Sequence, residues 1–273
     1  MWQCQVESHP VPVMLPRKDC RRLLIWQLSV PESSWTQSNP NKFLNWIKSV
    51  FSRFAFPRFG SFSGGGGGKT ITAMWKDKPC GFSSIDGIHA LLGWEADGQE
   101  VRFELGDDPP HAILAGTAGS GKSNLLHVLI QGLLHRFSPD ELNLYLLDYK
   151  DGVEFNVYAG AKIPQIKFVA TVNDSETTPT DPPDFLKIFL DKGPQSGSFV
   201  LAFVDNWGRF NNTTNDYLEN FEMYIGFCLK EDDAGSLVTG NIGKPFRGLD
   251  QPNKAIFVNR QSNTQILFRP FVT

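Results

Sequence analysis

The sequence predicts an α/β fold built on a mostly parallel sheet. Three observations carry that expectation. Apolar runs at residues 112–115, 142–148 and 199–205 are near-continuous rather than alternating, as strands covered on both faces are. Helical patterns separate them, and alternation of strand and helix favours parallel pairing. The first run passes straight into a glycine-rich turn and a helix, residues 111–123 reading HAILAGTAGSGKS.

Residues 116–123, G-T-A-G-S-G-K-S, match G-x-x-x-x-G-K-[ST] in full. Strand, glycine loop and helix N-terminus in that order is the context of a phosphate-cradling P-loop. Backbone N–H groups of such a loop point inward at phosphate oxygens, and side chains would block the approach. The helix adds the positive end of its dipole. Leu125, Leu126, Val128, Leu129, Leu133 and Leu134 give that helix one apolar face. The expected nucleotide contacts are Gly116, Thr117, Ala118, Gly119, Ser120, Gly121, Lys122, Ser123 and Asn124. Lys122 would reach the β- and γ-phosphates of ATP in a catalytic role, and the Ser123 hydroxyl would ligate Mg²⁺.

The chain has 273 residues, of which 41% are hydrophobic and 20% charged, a composition able to build a sizeable core. A net charge of −3 argues against a protein that coats nucleic acid everywhere. The charge is unevenly placed. Residues 1–80 carry 11 Lys and Arg against 4 Asp and Glu, whereas residues 81–273 carry 15 against 25. A basic segment before an acidic one reads either as an arm for an anionic partner or as a solvated tail. Cys4, Cys20, Cys80 and Cys228 form no CxxC pair and have no His at ligand spacing, so neither zinc nor a disulfide framework is indicated. Free thiols fit a reducing, cytoplasmic setting. No apolar run is long enough to span a membrane, and the N-terminus does not read as a secretory signal.

The expected division is a basic N-terminal extension at 1–80 and a nucleotide-binding domain at 81–273. Pro10, Pro12, Pro16, Pro31 and Pro40 break the start of the extension. Residues 21–30 (RRLLIWQLSV) fit a strand or a short helix equally. Residues 41–54 place Phe43, Leu44, Ile47, Val50, Phe51 and Phe54 on one face of a basic amphipathic helix. Residues 60–70 (GSFSGGGGGKT) read as a flexible linker. Their G-K-T is not a second P-loop, because Ser63 stands where the first Gly is required and no apolar strand precedes it.

Residues 87–106 read as a β-hairpin turning at 95–98. After the P-loop helix, strands are expected at 142–148 and 167–172, then a polar loop at 173–184 and a short helix at 185–190. A buried strand at 199–205, strand or helix segments at 217–230 and 255–258, and a closing strand at 265–271 complete the order. Ligands of parallel sheets sit at the carboxyl ends of strands, where Gly116 and Asp148 both fall.

The run HAILAGTAGSGKSNLLHVLIQGLL followed by LNLYLLDYKDGVEF resembles the FtsK/SpoIIIE family of P-loop motor domains. Ser138, Pro139, Asp140 and Glu141 are similar to that family's P-E-E/D-E step, and Asp148, Tyr149 and Lys150 to its D-x-K. Residues 193–197 before an apolar strand resemble its G-R-A-x-G segment, and residues 221–233 the strand that follows. The resemblance covers roughly residues 81–273. It implies a RecA-like core preceded here by the hairpin and the irregular basic segment. It also implies ATP and Mg²⁺ as cofactors, a homo-oligomeric, usually hexameric, ring, and double-stranded DNA as the moved partner. Some members drive protein export instead, so protein partners are equally a family property.

The chain departs from the family at one point. Members carry a Walker B strand, four apolar residues then Asp-Glu, before the G-R-A-x-G segment. Here only the polar residues 173–184 occupy that interval. Residues 199–205 followed by Asn206 offer a partial replacement, with Asp205 serving catalysis and Mg²⁺ but Asn unable to act as a base. The better reading aligns this strand with the family's sensor strand, because Gly193 and Gly197 precede it at the family's spacing, and on either reading the catalytic Glu is absent. Asp148 is a second acidic group near the site, with a metal or structural role. An arginine finger would come from a neighbouring subunit, and Arg209, Arg247 and Arg260 are available. Two functions follow: a DNA-coupled ATPase, if a carboxylate replaces the missing pair, or a nucleotide-holding scaffold with little hydrolysis. A small-molecule kinase would need an Arg-rich lid, which the sequence lacks.

Overall fold

The computed structural model describes residues 20–28, 80–148, 154–159, 161, 163–171, 182–204, 215–228 and 254–273. The strands are β1 (Arg21–Leu28), β2 (Ile88–Trp94), β3 (Glu100–Leu105), β4 (His111–Ala115), β5 (Leu142–Asp148), β6 (Ile166–Thr171), β7 (Ser198–Val204), β8 (Met223–Gly226), β9 (Ala255–Asn259) and β10 (Thr264–Pro270). The helices are α1 (Lys122–Arg136), α2 (Asn156–Ala159) and α3 (Pro182–Lys192). Among the described residues ten strands join one sheet in the order β3-β2-β10-β9-β8-β4-β7-β1-β5-β6.

The sheet has two halves of different character. From β8 through β4, β7, β1 and β5 to β6 every pairing is parallel. From β3 through β2, β10 and β9 to β8 every pairing is antiparallel. The sequence pattern explains the split. β4 and β7 are apolar at nearly every position and buried along their whole length, as central strands under helices must be. β3 alternates exposed and buried residues, as an edge strand with one wet face does.

Helices cover both faces of the parallel half. Leu125, Leu126, Leu129 and Leu133 of α1 pack with Leu23, Ile25, Leu146, Leu201 and Phe203 on one face. Leu186 and Leu190 of α3 pack with Leu24, Trp26, Val200 and Ala202 on the other. Each fully buried Leu or Phe contributes about 2–3 kcal/mol of transfer free energy, so these two layers dominate the driving force for folding. Among the described residues no helix is long and apolar enough to cross a membrane.

Most expected elements appear within a residue or two of their expected bounds. The hairpin forms, and its β2 strand pairs with β10 at Trp94↔Arg269 and Gly93↔Pro270. It is the outer edge of the same sheet. Of the expected polar loop 173–184, residues 182–184 belong to α3, which begins at Pro182, and residues 173–181 lie outside the described residues. Proline suits a first helical turn, where the missing N–H would have no partner.

Of the ambiguous residues 21–30, residues 21–28 form a strand and the last two lie outside the described residues. β1 inserts between β7 and β5, parallel to both. Residues 21–28, read from sequence as part of the basic extension, thus sit near the middle of the parallel half. Arg21 fastens this insertion. It is buried, and its guanidinium donates to the Ser84 carbonyl at 2.9 Å and to the Ile85 carbonyl at 2.5 Å. The expected amphipathic helix at 41–54, the linker at 60–70, Tyr149, Lys150, Asp205, Asn206, Arg209 and Arg247 lie outside the described residues.

Candidate functional site

The P-loop lies where β4 ends and α1 begins, at the carboxyl ends of the parallel strands. Gly116 donates its N–H to the Val204 carbonyl at 3.3 Å, which ties the loop to the end of β7. The Thr117 N–H and hydroxyl both donate to the Cys228 carbonyl, each at 3.0 Å, which ties it to the end of β8. The loop is therefore held from both flanking strands.

Glycine is required at two positions. A Cβ on Gly116 would sit 2.8 Å from Ser120 Oγ and 2.9 Å from Phe227 Cβ, too close for either neighbour. Gly121 caps α1 with φ 101°, a left-handed conformation that other residues adopt at a cost. It offers no side-chain hydrogen bond to the helix, and the first turn of α1 carries no acidic residue. The helix start is therefore an uncapped set of N–H donors at the positive end of a 15-residue helix.

The buried Ser120 hydroxyl has no hydrogen-bond partner among the described residues. A buried polar atom of this kind carries a desolvation cost of about 1–3 kcal/mol until something satisfies it. Lys122 is 6% exposed, and its Nζ lies 4.1 Å from the centre of the Phe203 ring. An uncapped helix start, an orphaned hydroxyl and a nearby lysine fit a phosphate, the group that the sequence pattern anticipates.

The Ser123 hydroxyl points at Glu154, with Oγ 2.7 Å from Oε1. Glu154 is a residue that sequence reasoning did not single out. Its place is fixed by Asp148, which is fully buried at the end of β5. Asp148 Oδ2 accepts the N–H of Glu154 at 3.1 Å and lies 3.5 Å from that of Phe155. Phe155 is buried and anchors the turn into α2. The other Glu154 oxygen faces His127 Nε2 at 3.9 Å, one helical turn beyond Ser123. His127 Nδ1 in turn meets the Tyr158 hydroxyl at 2.9 Å. Burial lowers the His127 pKa, and the Glu154 carboxylate opposes that shift.

Asn124 faces away from this cluster. Its amide donates to the Phe271 carbonyl at 2.8 Å and accepts the Thr273 N–H at 3.2 Å, binding the final residues of the chain to α1. The site residues expected from sequence therefore divide. Gly116, Ser120, Gly121, Lys122 and Ser123 converge, Asp148 stands behind Glu154, and the Asn124 side chain is engaged elsewhere. Among the described residues no three His, Cys, Asp or Glu side chains are grouped to hold a metal ion by themselves.

Gln27 of β1 is in register with Asp148 on one side and Phe203 on the other. Alternation along β1 puts it on the same face as Leu23 and Ile25, beneath α1. β1 runs as four apolar residues, 23–26, followed by Gln27 and Leu28. It thus supplies an apolar strand beside β5 that ends in neutral residues. Gln27 is 1% exposed, and its Oε1 has no hydrogen-bond partner among the described residues.

Comparison with known proteins agrees with this architecture. Residues 84–178 match the model of the FtsK/SpoIIIE family. The chain is 36% identical over 113 residues to the ESX-4 secretion system protein EccC4 of Mycobacterium tuberculosis, covering 40% of this chain and 9% of that one. It is 33% identical over 156 residues to the DNA translocase FtsK of Staphylococcus epidermidis, covering 57% of this chain and 17% of that one. The chain thus spans less than a fifth of the length of either relative. The cytoplasmic domain of the Thermomonospora curvata type VII secretion ATPase EccC superposes with TM-score 0.55 at 16% identity, over 74% of this chain and 30% of that one. The monomer form of the pCW3 conjugation coupling protein TcpA, solved with ATPγS, superposes with TM-score 0.51 at 14% identity, over 72% of this chain and 69% of that one. Residues 84–178 are thus similar to the FtsK/SpoIIIE family, and the chain folds as a mostly parallel α/β domain like the EccC and TcpA structures.

Proposed function

We propose that this chain binds ATP with Mg²⁺ on residues 116–123 and couples nucleotide state to a bound polymer, double-stranded DNA in the first instance. The observation that carries the nucleotide reading is the uncapped start of α1, where an orphaned Ser120 hydroxyl sits inside a loop held from β7 and β8. In this reading Gly116, Thr117, Ala118, Gly119, Ser120, Gly121 and Lys122 surround the phosphates and Ser123 holds the metal. Asp205 follows the last residue of β7 and is a candidate acid for catalysis and for Mg²⁺. When bound, Mg²⁺ would neutralise phosphate charge. The DNA reading draws support from the FtsK relative, whose alignment spans 57% of this chain. A homo-oligomeric ring, hexameric by family resemblance, would supply an arginine finger from a neighbouring subunit.

A second reading is favoured by β1. With Gln27 and Leu28 where the family carries Asp-Glu, hydrolysis is slow and the domain acts as a nucleotide-held scaffold for DNA or for protein.

The test compares ATP binding with ATP turnover, with and without duplex DNA, in the natural protein and in Lys122→Ala. Binding together with DNA-stimulated turnover, both lost in Lys122→Ala, is the result expected of the first reading. Tight binding without turnover selects the second. Failure of the natural protein to bind ATP would overturn both.

A further inference from the structure

We infer that Glu154 is the carboxylate that holds the nucleotide's divalent cation in this chain, opposite the Ser123 hydroxyl. The inference rests on the nucleotide reading above and names the acid that such a site needs.

The geometry carries it. Magnesium binds oxygen at about 2.0–2.1 Å in a near-ideal octahedron, so two neighbouring ligands lie about 2.9 Å apart. Ser123 Oγ and Glu154 Oε1 are 2.7 Å apart. A cation seated between them would need only a few tenths of an ångström of adjustment. The hydrogen bond seen here is what the two oxygens make when the hydroxyl proton, rather than a metal, joins them.

The surroundings make Glu154 a fixed group rather than a passing contact. Asp148 takes the Glu154 N–H, Phe155 is buried beside it, and α1 faces both carboxylate oxygens through Ser123 and His127. The strand neighbouring β5 supplies no acid, because the residue level with Asp148 is Gln27. Asp148 is committed to positioning the backbone of Glu154 and Phe155. Glu154 is the carboxylate aimed at the P-loop serine among the described residues. Two protein oxygens are a normal number for magnesium bound with nucleotide, since phosphates and water supply the remainder.

The test uses the full chain, Mn²⁺ as a paramagnetic stand-in for Mg²⁺, and a fluorescent non-hydrolysable ATP analogue. Nucleotide affinity is read in EDTA and in Mn²⁺, and bound Mn²⁺ is read by electron paramagnetic resonance. Glu154→Gln is compared with Asp205→Asn and the natural protein. The Asp148 bond goes to the backbone of residue 154, so the substitution leaves it in place, and thermal melting checks the fold. The expected result is at least a tenfold loss of Mn²⁺ affinity in Glu154→Gln, larger than any loss in Asp205→Asn, with an unchanged affinity for nucleotide in EDTA. Glu154→Asp, shorter by one methylene, should recover part of the loss. Full Mn²⁺ affinity in Glu154→Gln, or loss confined to Asp205→Asn, would overturn the inference while leaving the nucleotide reading intact. Absence of nucleotide binding by the natural protein in both EDTA and Mn²⁺ would overturn the reading on which it rests.

Discussion

Gln27 of β1 lies level with Asp148 of β5 across a parallel ladder, a neutral amide beside a fully buried carboxylate. Neighbouring strands run about 4.8 Å apart, so an acid at position 27 would stand next to an existing one with little water between them. Gln27→Asp should therefore cost the metal-free protein about 3 kcal/mol, the order of an uncompensated buried charge. Mg²⁺ with ATP should restore part of that loss by neutralising the pair. Urea unfolding with and without MgATP measures both terms. Equal stabilisation of the natural protein and the variant by MgATP would show that position 27 does not feel the metal.

Arg21 tests whether β1 is integral to the fold. Its guanidinium reaches Ser84 and Ile85 on the segment before β2, and its Cζ lies 5.6 Å from the Phe199 ring centre. Arg21→Ala should lower stability by about 2–3 kcal/mol, since two charge-assisted hydrogen bonds disappear. Arg21→Lys should recover little, because an ammonium cannot reproduce the fork. Denaturant midpoints at constant slope would read the effect. A change below about 0.5 kcal/mol, the level of an ordinary surface substitution, would mean that β1 is dispensable.

His111 begins the P-loop strand and is wholly buried. Its Nδ1 accepts the Val200 N–H at 3.0 Å, which leaves Nε2 to donate to the Leu190 carbonyl at 3.0 Å. The ring is thus neutral, and burial lowers its pKa to about 4 against the ordinary 6.5. Below the unfolded value the unfolded chain takes up a proton that the folded chain refuses. Stability is therefore full above about pH 6.5 and declines as pH falls toward 4, by about 3 kcal/mol in all. Thermal melts across that window should show the slope, and His111→Gln should flatten it. An unchanged slope in the variant would assign the acid sensitivity to other groups.

Gly116 is the close approach at the mouth of the loop. Gly116→Ala would drive a methyl into Ser120 Oγ and Phe227 Cβ. Overpacking of this kind costs about 1–3 kcal/mol. It should also reduce ATP affinity, because the Ser120 side must move outward. Calorimetric titration with an ATP analogue checks this, and native affinity in the variant would show that the loop yields without consequence.

The sequence by itself determined the P-loop, the α/β class and most strand positions, because each rests on local chemistry. Glycines at 116 and 121 answer to backbone approach and φ, and continuous apolar runs at β4 and β7 answer to burial on both faces. The tertiary structure decided three things that no spacing encodes. Residues 21–28 had no local preference, and only the gap between β5 and β7 made them a strand. Their arrival there put Gln27 beside Asp148. Glu154 stands 31 residues beyond Ser123 in the chain, with nothing in its neighbours to mark it. Only the fold of the turn around the Asp148 carboxylate brings its oxygen to the serine hydroxyl, since partners so distant in sequence are chosen by packing rather than by pattern.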